Sequence, residues 1–229
     1  IYVRNKERAC EQCGFYSEKY ALPEETTQEE LLGLIAQLNE SPAISGILCQ
    51  MPMPKHINSD NVGAAVSPNK DVDCLNPQNI GDVFMGRSRF AACTPRACMA
   101  TLAHYGIELE GKNVVVIGRS NVVGKPVSVL LLQQNATVTI CHSRTRNLSE
   151  ILKQADIIVA AVGKACFVKP EMVKEGVVIV DVGINAVDGK LVGDVDPAVA
   201  EKASAFTPVP GGIGVVSNMM VMECLTRHI

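Results

Sequence analysis

The chain has 229 residues, enough for one large domain or two small ones, and its 47% hydrophobic and 20% charged residues suit a globular protein with a packed core. A formal net charge of −3 gives no bulk electrostatic pull toward nucleic acid or an anionic membrane, and no apolar run approaches the ~20 residues that span a bilayer. Nine cysteines, an odd number scattered through apolar segments, read as reduced thiols of a cytoplasmic protein rather than a disulfide framework. Cys10 and Cys13 form a Cys-x-x-Cys with no second pair at zinc spacing, so two ordinary half-buried thiols are expected and no metal site. The sequence opens at Ile1 without an initiator Met, so any transit peptide would precede the residues at hand.

In chain order, residues 2–13 read as a helix stopped by Gly14. Thr27-Gln28-Glu29-Glu30 is a capping box, after which Leu31, Leu34, Ile35 and Leu38 recur at helical spacing. Ser45 to Gln50 reads as a short buried strand, broken by Pro52 and Pro54. A helix is expected from Ser59 to Val66, followed by a polar loop over 67–74. From Thr94 the alternation is more regular, with strands expected at 113–117, 136–141, 156–161 and 176–181. A turn at Asp188-Gly189, a small helix near 197–203 and a break over 207–214 precede the last helix. Strands alternating with helices call for a doubly wound parallel sheet with right-handed crossovers. Ligands bind beyond the carboxyl ends of such strands. The loops at Gly118, His142, Gly163, Gly183 and Pro208 all fall on that edge.

The strand at Asn113 empties into Gly118-Arg119-Ser120-Asn121-Val122-Val123-Gly124, the position of a dinucleotide phosphate cradle. The spacing departs from G-x-G-x-x-G: Ser120 stands where the second glycine belongs, and the last glycine comes one residue late. After the next strand, His142-Ser143-Arg144 offers no Asp or Glu to accept from a ribose 2′-OH. It offers Ser143 and Arg144, with Arg119 in the turn, and a guanidinium fork matches a phosphate dianion. NADP is therefore expected rather than NAD, with two solvated loop arginines as the ordinary alternative.

Tyr2 and Lys6 share one helix face at i, i+4, Gln50 closes a strand, and Asp73 sits in a loop; each alone has an ordinary structural reading. In order, the chain carries Tyr2-x-x-x-Lys6, Gly46-Ile-Leu-Cys-Gln50-Met-Pro-Met-Pro54-Lys-His56 and Lys70-Asp-Val-Asp73. Thr94-Pro95, Gly118-Arg-Ser-Asn-Val-Val-Gly-Lys-Pro126, Asp181-Val-Gly-Ile-Asn185 and Pro208-Val-Pro-Gly-Gly-Ile-Gly214 follow. From Tyr2 to its end the chain closely resembles the bifunctional methylenetetrahydrofolate dehydrogenase/methenyltetrahydrofolate cyclohydrolase family.

The resemblance implies oxidation of 5,10-methylenetetrahydrofolate to 5,10-methenyltetrahydrofolate with NADP, then hydrolysis to 10-formyltetrahydrofolate. It implies that Lys6 is essential to the hydrolysis, that Gln50 holds and tunes it, that Tyr2 stacks on or orients the folate, and that Asp73 accepts from the pterin. Pro210, Gly211 and Gly212 would frame the hydride contact. Gly118, Arg119, Ser120, Gly124, Ser143, Arg144, Gly163, Gly183 and Ile184 would bind the cofactor. The implied architecture is two α/β domains: a smaller folate domain over 1–93 joined by the carboxyl-terminal helix 211–229, and a Rossmann-like NADP domain over 94–210. The implied partners are tetrahydrofolate one-carbon substrates and a second copy of the chain as a homodimer, with no nucleic acid and no membrane.

Three departures from the family pattern bear on these expectations. The strand and Gly/Ser-containing loop that normally precede the Tyr-x-x-x-Lys helix are expected to be missing, leaving the first sheet a member short. Cys74 replaces the usual Gly after Asp-Val-Asp, and Gly214-Val215-Val216-Ser217 replaces Gly-Pro-Met-Thr. The alternatives are a single-activity dehydrogenase of the same family and a truncated, non-catalytic NADP-binding module.

Overall fold

The computed structural model describes residues 2–87 and 91–228, with the side chains of Tyr2, Arg227 and His228 outside that description. The chain divides into two compact units, Ile1–Cys93 with Asn218–Ile229, and Thr94–Ser217.

The first unit is mainly helical: α1 (Tyr2–Gln12), α2 (Gln28–Glu40), α3 (Ser59–Ala65) and α4 (Pro77–Phe84), with the carboxyl-terminal part of the last helix. The Thr27 capping box forms as its residue types dictate: Glu30 N–H donates to Thr27 Oγ1 at 3.2 Å, and Thr27 N–H donates to Glu30 Oε2 at 2.8 Å. The other end of α2 is closed by a distant side chain. Lys70 Nζ donates to the carbonyls of Leu38, Asn39 and Ser41 at 3.0, 2.6 and 2.7 Å, placing a cation on the negative end of the helix dipole. Two apolar clusters hold the unit together. One joins Ile35, Ile47, Ile57, Val62 and Val66; the other joins Cys10, Val72, Cys93, Val221, Met222 and Cys224.

The strand expected over Ser45–Gln50 does not form. Ile47 makes one isolated parallel bridge to Asp71, with its N–H on the Lys70 carbonyl at 2.7 Å. A ladder needs successive pairings, and among the described residues no second segment pairs with the other side of 45–50.

The second unit contains α5 (Cys93–His104, shared with the first at its first residue), β1 (Asn113–Ile117), α6 (Gly124–Gln133), β2 (Thr137–Cys141), α7 (Leu148–Leu152), β3 (Ile157–Ala160) and β4 (Val178–Asp181). The hairpin of β5 (Asn185–Val187) and β6 (Lys190–Val192), then β7 (Ala205–Phe206) and the start of α8 (Ile213–His228), complete it. Five strands form one parallel sheet in the order β2-β1-β3-β4-β7. The register sets Val115 between Thr139 and Ile158, so β-branched residues stack across the centre. Val114, Val116, Ile157, Ile158 and Ile179 are fully buried, each contributing ~1.5–3 kcal/mol by leaving water. Strands covered on both faces read as continuous apolar runs, the pattern of Val114 to Ile117. Because all five strands run the same way, their carboxyl-end loops share one edge of this unit.

Candidate active site

In the first unit, α1 presents Lys6, half-buried, and the segment after the Ile47 bridge presents Gln50. Lys6 Nζ donates to Gln50 Oε1 at 3.1 Å. The amide is oriented at its other end, where Gln50 Nε2 donates to the Met51 carbonyl at 2.9 Å, so the oxygen is the atom left for the lysine. Asp73 lies within the field of the same ammonium. Burial raises its carboxyl above the usual aspartate range, while the Cys93 N–H, 3.2 Å from Oδ1, and the Lys6 charge pull it back. Tyr2 belongs to α1 one turn before Lys6, but its side chain lies outside the described residues. A cavity of about 840 Å³ opens beside the pair, walled by Lys6, Gln50, Tyr16, Tyr20, Leu48 and Pro54 among others.

The segment Lys70–Asp73 explains how Asp73 is aimed. Lys70 is committed to α2, and Asp71, 2% exposed, accepts from Leu75 N–H, Asn76 N–H and Asn79 Nδ2 at 3.1, 2.8 and 2.9 Å. That turn requires a left-handed residue at Cys74, with φ of 55°, a conformation that favours glycine. The Cys74 side chain is nonetheless buried, and burial with the nearby Asp71 and Asp73 charges pushes its thiol up to about 12.

In the second unit, the carboxyl-end loops hold the residues expected to bind a cofactor. Gly118 combines φ of 125° with close approach to the Ala161 carbonyl, and a β-carbon on Gly124 would collide with the Gly118 carbonyl. Both positions therefore require glycine, and the two glycines clamp α6 onto β1. Ser120 does not occupy a defective glycine position. Its Oγ accepts from the N–H groups of Val123 and Gly124 at 3.1 and 3.3 Å, closing the turn that leads into α6. The backbone N–H groups of Arg119 through Val122 have no partner among the described residues, and the side chains of Arg119 and Ser120 are exposed. A turn of free N–H groups beside a guanidinium fits a dinucleotide phosphate.

The loop after β2 is held by its own side chains: His142 N–H donates to Thr145 Oγ1 at 2.8 Å, and Arg144 N–H donates to His142 Nδ1 at 3.1 Å. Ser143 and Arg144 are left exposed at its tip. Ile184, Pro210 and Gly211 are also exposed, with Gly211 at φ of 102°. Gly212 lies against the Pro208 carbonyl, where a β-carbon would collide.

Two acids organise the loops after β3 and β4: Asp194, which sequence reasoning did not single out, and Asp181, which it took only as the first residue of the Asp181-Val-Gly-Ile-Asn185 block. Asp194, 0% exposed, accepts from the N–H groups of Val162, Gly163 and Lys164 at 2.6, 2.9 and 2.9 Å and from Asn185 Nδ2 at 3.0 Å. Asp181, 1% exposed, accepts from the N–H groups of Gly183, Asp194 and Val195 at 2.9, 3.0 and 2.9 Å. The Gly163 N–H is therefore committed inward, leaving the outer surface of that turn for a ligand. The available signal was an acid inside the otherwise apolar run Leu191-Val192-Gly193-Asp194-Val195. Among the described residues, no group of three or more His, Cys, Asp or Glu could hold a metal ion, and no helix is long and apolar enough to cross a membrane.

Comparison with known proteins assigns both parts of the chain to one family. Residues 1–73 match the family model of the tetrahydrofolate dehydrogenase/cyclohydrolase catalytic domain, and residues 92–229 match that of its NAD(P)-binding domain. The bifunctional protein FolD of Ruminiclostridium cellulolyticum is 52% identical over 225 residues, covering 97% of this chain and 79% of that protein. The crystal structure of the Campylobacter jejuni FolD methylenetetrahydrofolate dehydrogenase/cyclohydrolase superposes with a TM-score of 0.96 at 45% identity, covering 99% of this chain and 82% of that one. The Trypanosoma brucei enzyme, solved with NADP and an inhibitor, gives a TM-score of 0.94 at 38% identity over 99% of this chain and 80% of that one. The chain belongs to the tetrahydrofolate dehydrogenase/cyclohydrolase family.

Proposed function

We propose that this chain oxidises 5,10-methylenetetrahydrofolate to the 5,10-methenyl cation with NADP and hydrolyses that cation to 10-formyltetrahydrofolate. The observation that carries the reading is the Lys6–Gln50 hydrogen bond, formed across 44 positions of sequence.

The two steps make different demands. Oxidation removes a hydride and leaves a cation shared by two nitrogens, so no side chain need take a proton and positioning dominates. NADP, when bound, supplies the carbon that accepts the hydride. The free N–H groups of Arg119 to Val122 would hold its phosphates, with Gly118, Ser120 and Gly124 shaping the turn. Arg119, Ser143 and Arg144 would take the 2′-phosphate that separates NADP from NAD. Gly163, Gly183 and Ile184 would lie along the cofactor, and Pro210, Gly211 and Gly212 would bound the contact between donor and acceptor.

Hydrolysis needs water to attack the methenyl carbon and a group to manage its proton. Lys6, hydrogen-bonded to Gln50, would be that group. Asp73 would accept from the pterin ring, and Tyr2 would stack on or orient the folate. The nine free cysteines support a cytoplasmic setting, and a homodimer is the assembly the reading carries.

The test mixes the full chain with 5,10-methylenetetrahydrofolate and NADP. NADPH should appear while the methenyl absorbance stays low. Tight NADP binding with no NADPH formed would replace the reading with a non-catalytic binding module.

A further inference from the structure

Asp194 is fully buried, yet all four of its partners are N–H groups, and no cation pairs with it among the described residues. Removing a carboxylate from water without a counter-ion is costly unless several charge-assisted hydrogen bonds offset it. Three of those bonds come from consecutive residues, Val162, Gly163 and Lys164, in the turn that leaves β3. That convergence, with Gly163 at φ of 66°, fixes the turn to one carboxylate. The side of Gly163 where a β-carbon would stand is open space, so the turn offers an unobstructed backbone surface at the carboxyl edge of the sheet.

The same carboxylate shapes the loop after β4. A β-carbon on Gly183 would collide with the Asp194 carboxyl group, and Asn185 Nδ2 is tied to Asp194 Oδ1. Asp194 is itself placed by Asp181, which takes the N–H groups of Asp194 and Val195. Gly193 lies so close to Asp181 that a β-carbon there would overlap the carboxylate oxygen. Two turns thus depend on one buried anion, and that anion is registered by a second.

We infer that Asp194 is a positioning residue for the nicotinamide cofactor, acting through the Val162–Lys164 turn and the Gly183–Asn185 segment without touching the cofactor. The inference rests on the proposed NADP reading. An Asn or Gln at position 194 would turn an amide NH₂ toward N–H donors and leave part of the turn unpaired. It also separates the two reactions, because Lys6, Gln50 and Asp73 belong to the other compact unit.

The test uses Asp194→Asn in the full chain, with three readouts: NADP affinity by titration, the dehydrogenase KM for NADP against kcat, and hydrolysis of methenyltetrahydrofolate supplied directly. The expected result is at least about tenfold weaker NADP binding and a matching rise in KM, with hydrolysis unchanged, because a hydrogen bond to a buried charge is lost. A variant that hydrolyses normally and binds NADP as the parent does overturns the inference. If Asp194→Asn also loses hydrolysis, Asn185→Ala decides, since it removes only one of the four bonds. A severalfold loss of NADP affinity there supports the role, and unchanged affinity overturns it. Failure of the parent chain to bind NADP would instead remove the cofactor reading, a result distinct from an indifferent variant of an active parent.

Discussion

Lys6 and Gln50 are joined by a 3.1 Å hydrogen bond whose geometry is set from the glutamine side. The amide nitrogen is spent on the Met51 carbonyl, so the oxygen can only face the ammonium. Lys6 is thereby restrained to one direction while keeping two N–H donors for substrate or water.

Gln50→Leu keeps the approximate volume and deletes the acceptor. Losing a hydrogen bond to a charged group, worth ~1.5–3 kcal/mol, should slow methenyl hydrolysis by about tenfold or more. NADP affinity should stay unchanged. Steady-state hydrolysis of the methenyl substrate checks this, and an unaltered rate would mean that Gln50 does not govern Lys6.

Asp73 should trade stability for function. Its folded carboxyl is raised by burial, so the folded state holds that proton more tightly than the unfolded chain. Its contribution to stability is complete below the ordinary aspartate range and is lost as pH rises through the raised folded value. At neutral pH the ionised side chain therefore weighs against folding. Asp73→Asn should raise the thermal midpoint at neutral pH, with the advantage disappearing in acid, while weakening folate binding. A midpoint that falls at neutral pH would contradict the direction of the shift.

Two glycines should respond in opposite senses to the same change. Gly33 lies inside α2 with open space where a β-carbon would go, so Gly33→Ala should stabilise by ~0.5–1 kcal/mol. A β-carbon on Gly124 would meet the Gly118 carbonyl and the Arg119 nitrogen, both backbone. Gly124→Ala should cost ~1–3 kcal/mol and weaken NADP binding. Denaturant unfolding of both variants provides the comparison.

Lys70→Met would leave the Leu38 and Asn39 carbonyls at the end of α2 without their donor and would take one of two donors from the Ser41 carbonyl, which keeps the Ile44 N–H. A loss of about 2–3 kcal/mol is expected from the hydrogen bonds and the helix-end charge together. A loss below about 0.5 kcal/mol, the scale of an ordinary surface change, would show that water replaces the ammonium freely.

What could be read from the sequence follows from the range of the interactions involved. β1 spans Asn113–Ile117, the bounds expected from its apolar run, because a strand buried on both faces declares itself by composition. The Thr27 box was equally legible, since both partners lie within one turn. The run at 45–50 looked as strand-like as β1 but makes only the Ile47 bridge, because strand formation depends on neighbours that composition does not supply. The turn at Asp188-Gly189 was visible, whereas the β5–β6 hairpin it closes was not. The approach of Lys6, Gln50 and Asp73 is tertiary, so only family resemblance groups them in the sequence. Asp194 gave no periodic signal: its partners in the β3 turn lie 30 to 32 positions away and are backbone atoms, which carry no residue identity.

Under the proposed function, one chain performs both steps and Lys6 serves the second. The most direct measurement follows NADPH and methenyltetrahydrofolate together after mixing 5,10-methylenetetrahydrofolate and NADP with the parent chain or with Lys6→Met. The parent should form NADPH with little methenyl compound accumulating, whereas Lys6→Met should form NADPH with methenyl compound building up in step. A Lys6→Met protein that clears the methenyl compound as fast as the parent, or a parent that forms no NADPH, would contradict the account.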